Sequence, residues 1–115
     1  MDEYLEEYIF RHYQVYWTKV EHLAYQHALG MDKYDQGDDQ LKQKRFNWYK
    51  EHYFTENQDA LNLLKDGFDN FKTNLSIRIW NTYGESLEIN RCPKCNGVAR
   101  TPKARQCRFC FAEWR

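Results

Sequence analysis

"RCPKCNGVARTPKARQCRFCFAEWR", residues 91–115, holds all four cysteines of the chain, as Cys92-Pro93-Lys94-Cys95 and Cys107-Arg108-Phe109-Cys110 with eleven residues between the pairs. Two residues between paired cysteines let both sulfurs reach one ion while the amides of the turn point at them, and two such knuckles complete a tetrahedron. The spacing fits a single four-thiolate site at Cys92, Cys95, Cys107 and Cys110. Four soft ligands without an oxygen donor select zinc, with iron as the competitor that spacing alone does not exclude. Thiol redox chemistry would call for a Cys-x-x-Cys in a strand-helix setting, which this chain lacks. A catalytic zinc needs an open coordination position, and four cysteines close the shell.

The 115 residues carry 17 Lys/Arg and 17 Asp/Glu, a formal balance of zero that hides a division. Residues 91–115 contain seven Lys/Arg and one acid, a net of +6, which leaves residues 1–90 at −6. Four thiolates on one divalent cation add −2 and leave the tail near +4. A basic segment invites an anionic partner, nucleic acid being the commonest. The alternative is that the tail docks on the acidic helices of its own chain or of a second copy.

"CPKCNGVAR" followed by "CRFCFAEW" resembles a zinc ribbon of the rubredoxin-like zinc β-ribbon family, and "ARTPKARQCRFC" is similar to the end of small bacterial zinc-ribbon proteins that bring no known activity with them. The resemblance covers residues 86–115. It implies one structural Zn²⁺ on Cys92, Cys95, Cys107 and Cys110, with two or three short strands running between the knuckles, and nothing about the helices. That family often places Gly directly after a knuckle's second cysteine. Asn96 and Phe111 stand there instead. Asn tolerates a left-handed turn, whereas Phe111 should make the second knuckle less regular.

Arg91, Lys94, Arg100, Lys103, Arg105, Arg108 and Arg115 are candidate phosphate contacts, and Phe109, Phe111 and Trp114 are candidate stacking platforms. Lys103 and Arg105, then Arg100 and Arg108, lead the list, because the loop between knuckles is least committed to the metal. Against this, Val98, Phe111 and Trp114 are also the residues available to cover the metal, and Lys94 and Arg108 inside the knuckles offset the thiolate charge.

Working back along the chain, residues 2–29 lack Pro and Gly and repeat apolar positions at helical spacing (Leu5, Ile9, Tyr16, Val20, Leu23), which predicts one long amphipathic helix stopped by Gly30. "GMDKYDQGDDQ" predicts a loop. A second helix is expected from Asp38 or Asp39 to Tyr53, and a third from a Thr55/Gln58 capping box through Leu61, Leu64, Phe68, Phe71 and Leu75, weakened at Gly67 and running to about Tyr83. "SLEIN" alternates and predicts a short strand into Cys92. The expected fold class is therefore mainly α: three or four helices over residues 1–85 and a small C-terminal zinc β-ribbon over residues 86–115.

His12, His22, His27 and His52 form no Glu-x-x-His or His-Glu-x-x-His pattern. There is no Gly-rich phosphate loop, and Ser76 and Ser86 have no neighbouring His. No catalytic residue and no enzyme activity is expected. Tyr4, Tyr8, Tyr13, Tyr16, Trp17, Tyr25, Trp48, Tyr49 and Tyr53 exceed what so small a core hides, which points to a protein partner or a homodimer through the aromatic helices, or else to a core built from aromatic rings. No apolar run approaches a membrane span, and the acidic start is unlike a secretory signal, so a cytoplasmic location without membrane partners is expected. The functional expectation is a small non-catalytic zinc-binding interaction module with nucleic acid as leading partner. A protein-protein adaptor with a purely structural zinc is the alternative, and a rubredoxin-like iron electron carrier the third.

Overall fold

The structure, a computed structural model, describes the backbone of residues 1–35 and 42–115 and the side chains of residues 1–32 and 44–115. Among these residues the chain is mainly helical and contains no β-sheet: α1 (Glu3–His12), a 3₁₀ turn (Gln14–Tyr16), α2 (Lys19–Asp35), α3 (Lys42–His52), α4 (Gln58–Leu63), α5 (Phe68–Tyr83) and a second 3₁₀ turn (Gly84–Ser86). It divides into two compact units, Met1–Tyr16 with Lys72–Arg115, and Trp17–Phe71. No helix of the described residues is long and apolar enough to cross a membrane.

The single helix expected over residues 2–29 is two helices. α1 is capped by Asp2, whose side chain accepts from the amides of Tyr4 and Leu5, and it closes at Tyr13, whose N–H bonds the Ile9 carbonyl. α2 starts afresh because Thr18 and Glu21 form a reciprocal capping box: the Thr18 N–H donates to Glu21 Oε1 at 2.8 Å, and the Glu21 N–H to Thr18 Oγ1 at 3.2 Å. "TKVE" carried that signal inside an otherwise continuous apolar pattern.

Gly30 does not stop α2, which continues to Asp35 through the first part of the expected loop. Its role is close approach: a Cβ at Gly30 would lie 2.5 Å from Cβ of Tyr53, at the end of α3. The remainder of the expected loop, and the expected start of the second helix at Asp38 or Asp39, lie outside the described residues. The third helix is capped by Asn57, not Thr55; Asn57 Oδ1 accepts from the Ala60 N–H, while Thr55 Oγ1 accepts from Asn57 itself. It breaks at Gly67, whose φ of 97° is a left-handed conformation, and resumes as α5, which ends at Tyr83 as expected.

In the first unit, Leu5, Tyr8, Ile9 and Phe10 of α1 are buried together with Leu75, Ser76 and Ile79 of α5. Ser76 is fully buried and its hydroxyl donates to the Glu6 carbonyl at 3.3 Å, so the small residue brings the two helices together without an unsatisfied polar group. Lys72 pairs with Glu7, and Thr73 donates to Glu6 Oε1. Arg78 donates to the Tyr16 carbonyl at 2.9 Å, and the Tyr16 and Tyr83 rings stack at 4.1 Å. Several of the aromatic residues that looked surplus are thus core or seam residues of this unit.

In the second unit, α2 lies against α3 and α4 around Trp17, Ala24, Ala60 and Phe71. His27 packs on Phe54 and accepts the Thr55 N–H at Nδ1, and Gln26 donates to the His52 carbonyl. Trp48 is stacked on His52 and remains 48% exposed, so part of the aromatic excess does face solvent.

Candidate metal centre

The tail leaves α5 through the 3₁₀ turn, which takes in Ser86 of "SLEIN", and residues 87–90 do not pair as a strand. The expected β-ribbon is not formed in the described residues. Each knuckle is instead closed by one isolated antiparallel bridge, Arg91 with Val98 and Gln106 with Glu113. Six residues lie between the partners of each bridge, residues 92–97 and 107–112, and a knuckle occupies them, so no longer ladder forms.

The knuckles are two copies of one backbone design offset by fifteen residues. The Cys92 N–H donates to the Gly97 carbonyl at 2.9 Å and the Cys107 N–H to the Ala112 carbonyl at 2.9 Å. The Ala99 N–H returns to Asn90, and the Trp114 N–H to Arg105. Cys92 Sγ accepts from the amides of Lys94 and Cys95 at 3.3 and 3.5 Å; Cys107 Sγ accepts from those of Phe109 and Cys110 at 3.3 and 3.4 Å. Asn96 has φ 64° and Phe111 φ 62°. The second knuckle is therefore as regular as the first, contrary to expectation, and Phe111 is held in a conformation that disfavours any side chain with a Cβ, at about 1–2 kcal/mol.

The four cysteine sulfurs lie within 4.8 Å of one another. The closest pairs join the knuckles: Cys92 to Cys110 at 3.6 Å and Cys95 to Cys107 at 3.4 Å. No disulfide links them. A tetrahedral shell with metal-sulfur bonds of about 2.3 Å has sulfur-sulfur edges of about 3.8 Å. The donor set fits one metal ion in size and chemistry. Cys92 and Cys107 are buried, whereas Cys95 and Cys110 face outward.

The electrostatics of the cluster follow from the amide donors and the crowding of thiols. The Cys110 N–H, with that of Phe109, pulls the Cys107 thiol down to about 6 against opposing desolvation. The Cys95 amide does most to lower Cys92. At Cys95 the Gly97 amide favours the thiolate, but Cys107, desolvation, Cys110 and Cys92 outweigh it and push the thiol up to about 12. Four adjacent thiolates need a cation to coexist, which is why metal uptake by such a cluster releases protons.

The centre is seated on α1. The Tyr8 hydroxyl accepts the Asn90 N–H at 3.2 Å, Tyr13 donates to the Glu88 carbonyl, and Asn90 Nδ2 donates to the carbonyls of Thr101 and Ala104 at 3.0 and 2.8 Å, folding the inter-knuckle loop back. Phe109 meets Tyr4 edge-on at 4.9 Å, and the Arg108 guanidinium lies 5.1 Å over the same Tyr4 ring. Gly97 makes room for this, since a Cβ there would sit 2.5 Å from the Phe109 ring. Asn90, Tyr8 and Tyr13 carry no chemical signature in sequence; only their position beside the knuckles reveals them.

Among the cations expected to meet phosphate, Arg100, Lys103 and Arg105 are exposed, whereas Arg108 is half-buried, with a buried Nε that has no hydrogen-bond partner. Arg108 belongs to the Tyr4 contact. His12 faces the Arg100 carbonyl at 3.4 Å and lies away from the sulfur cluster's ligand set, and His27 is tied to Thr55. Neither joins a metal-ligating group. Compared with protein-family models, with curated proteins and with solved structures, the chain matches none.

Proposed function

We propose that the protein is a small non-catalytic zinc-binding interaction module, whose C-terminal zinc ribbon is a structural clip and whose basic surface binds nucleic acid. The convergence of four cysteine sulfurs within 4.8 Å carries the metal part of this reading. The choice of zinc rests on the resemblance to structural zinc ribbons, since a closed four-thiolate shell would also hold iron, and closure argues against a catalytic role for the metal. The nucleic-acid part rests on the basic excess of residues 91–115, about +4 once four thiolates hold one divalent cation, and on the exposure of Arg100, Lys103 and Arg105. Phosphate binding by such side chains is electrostatic and falls steeply with salt.

A second reading, a protein-protein adaptor with a purely structural zinc, is favoured by the engagement of Arg108 and Phe109 with Tyr4 and by exposed Trp48. Elemental analysis of untagged protein, with the nucleic-acid absorbance of the same sample before and after a high-salt wash, separates the two. One zinc per chain with nucleic acid released by salt supports the first reading. One zinc with no bound nucleic acid supports the adaptor, and a red, iron-loaded protein would replace both with an electron carrier.

A further inference from the structure

The backbone equivalence of the two knuckles lets each position in one be compared with its counterpart in the other. In the first knuckle, the arm after the turn is buried: Val98 is 5% and Ala99 1% exposed. Their counterparts, Glu113 and Trp114, are exposed and half-buried. Asn96 at the first turn corresponds to Phe111, which is 70% exposed. Asn90, which folds the loop back, corresponds to Arg105, which is exposed. The arm after the turn is buried in the first knuckle, whereas the second presents a phenyl ring, a guanidinium and part of an indole to solvent.

Phe111 is unexplained by stability. It makes no ring contact among the described residues and sits at φ 62°, where Gly or Asn would be more stable. Phe109, by contrast, is accounted for by Tyr4 and Gly97. Beside the turn, Arg105, Gln106, Glu113, Trp114 and Arg115 line an open groove. No acidic side chain pairs with Arg105 or Arg115 among the described residues.

We propose that this outer face of the second knuckle binds single-stranded nucleic acid, with Phe111 stacking on an unpaired base and Arg105 and Arg115 contacting the flanking phosphates. The inference rests on the nucleic-acid reading above and adds the strandedness and the stacking residue. An exposed ring on a rigid turn offers a flat face to any splayed base, but a base inside a duplex is already stacked on both sides. The surrounding positive charge favours a polyanion over an apolar protein groove.

The test uses the full-length, zinc-loaded protein and fluorescence anisotropy with a labelled oligothymidylate of roughly 15 nucleotides and a duplex of the same length. The single strand should bind more tightly. F111N, which installs the residue found at the equivalent turn, should keep zinc and melt no lower than the parent but weaken single-strand binding roughly tenfold, with F111Y restoring it. R105Q should instead lower the salt slope by about 0.7 and leave the preference for single strand over duplex in place. Unchanged single-strand affinity in F111N, or equal affinity for strand and duplex, would overturn the inference while leaving the nucleic-acid reading in place. Binding of neither at low salt, or binding of anionic vesicles in their place, would overturn both.

Discussion

The Asn90 backbone N–H donates to the Tyr8 hydroxyl at 3.2 Å, so the residue that enters the first knuckle is held by a side chain eighty-two positions earlier. Tyr8 is 2% exposed, so its side of the bond is shielded from solvent. Asn90 is half-buried, so Y8F should destabilise the protein by about 0.5–1.5 kcal/mol, the net worth of an ordinary hydrogen bond. N90A removes two further bonds, to the Thr101 and Ala104 carbonyls, and should cost at least as much. Denaturant unfolding of the zinc-loaded proteins measures both, and a shift below about 0.5 kcal/mol in each would contradict the anchoring role.

Replacing Cys95 or Cys107 by Ser removes one corner of the sulfur cluster. Metal binding and folding are one equilibrium in such modules, so either variant should lose stoichiometric metal and the cooperative melting of residues 86–115. A chelator should do the same to the unaltered protein. Full metal content with an unchanged melting curve in either variant would rule out a site that uses all four cysteines.

Two titrating groups should shape the acid limb of stability. Glu7 lies below its ordinary value of 4.5, chiefly through the hydrogen bond from Lys72, so its contribution is present above that value and is lost as pH falls through the lower folded value. The pair is partly exposed, so E7Q should cost less than about 1 kcal/mol above 4.5, a difference from the parent that fades as pH falls through the lower folded value. His27 is lowered from 6.5 by burial, and its Nδ1 accepts the Thr55 N–H, which requires a neutral ring at that nitrogen. The unfolded chain then takes up the proton first. Stability is full above 6.5 and declines as pH falls towards the folded value. H27Q should flatten this decline. Melting temperature against pH, compared between variant and parent so that metal loss cancels, reads each effect.

Gly30 and Gly67 are glycines for different reasons and should respond differently. G30A brings a Cβ to 2.5 Å from that of Tyr53, and the overpacking, about 1–3 kcal/mol, should outweigh the roughly 1 kcal/mol of helix propensity that Ala regains. At Gly67 there is space for a Cβ, but φ is 97°, so G67A is penalised by the backbone alone. A thermal melt in which G30A gained stability would show that α2 and α3 separate there at little cost.

The ligand set of the metal centre was legible in the sequence because Cys-x-x-Cys is a local device: spacing alone brings two sulfurs and their amide donors together. The helices, the end of α5 at Tyr83 and the acidic and basic halves were legible for the same local reason. The break after α1 was written in "TKVE" but masked by a continuous apolar period, and Gly30 looked like a terminator because its partner, Tyr53, is distant in sequence. The expected strand at "SLEIN" failed because alternation supplies a face but no pairing neighbour. Which cations are available is likewise a non-local matter. Arg105 and Arg108 are equivalent in composition, yet one is exposed and the other lies over Tyr4. Residue type and spacing determined what the tail can ligate; only the packing of α1 against both knuckles decided which of its side chains remain free, because burial is set by contacts that no local pattern encodes.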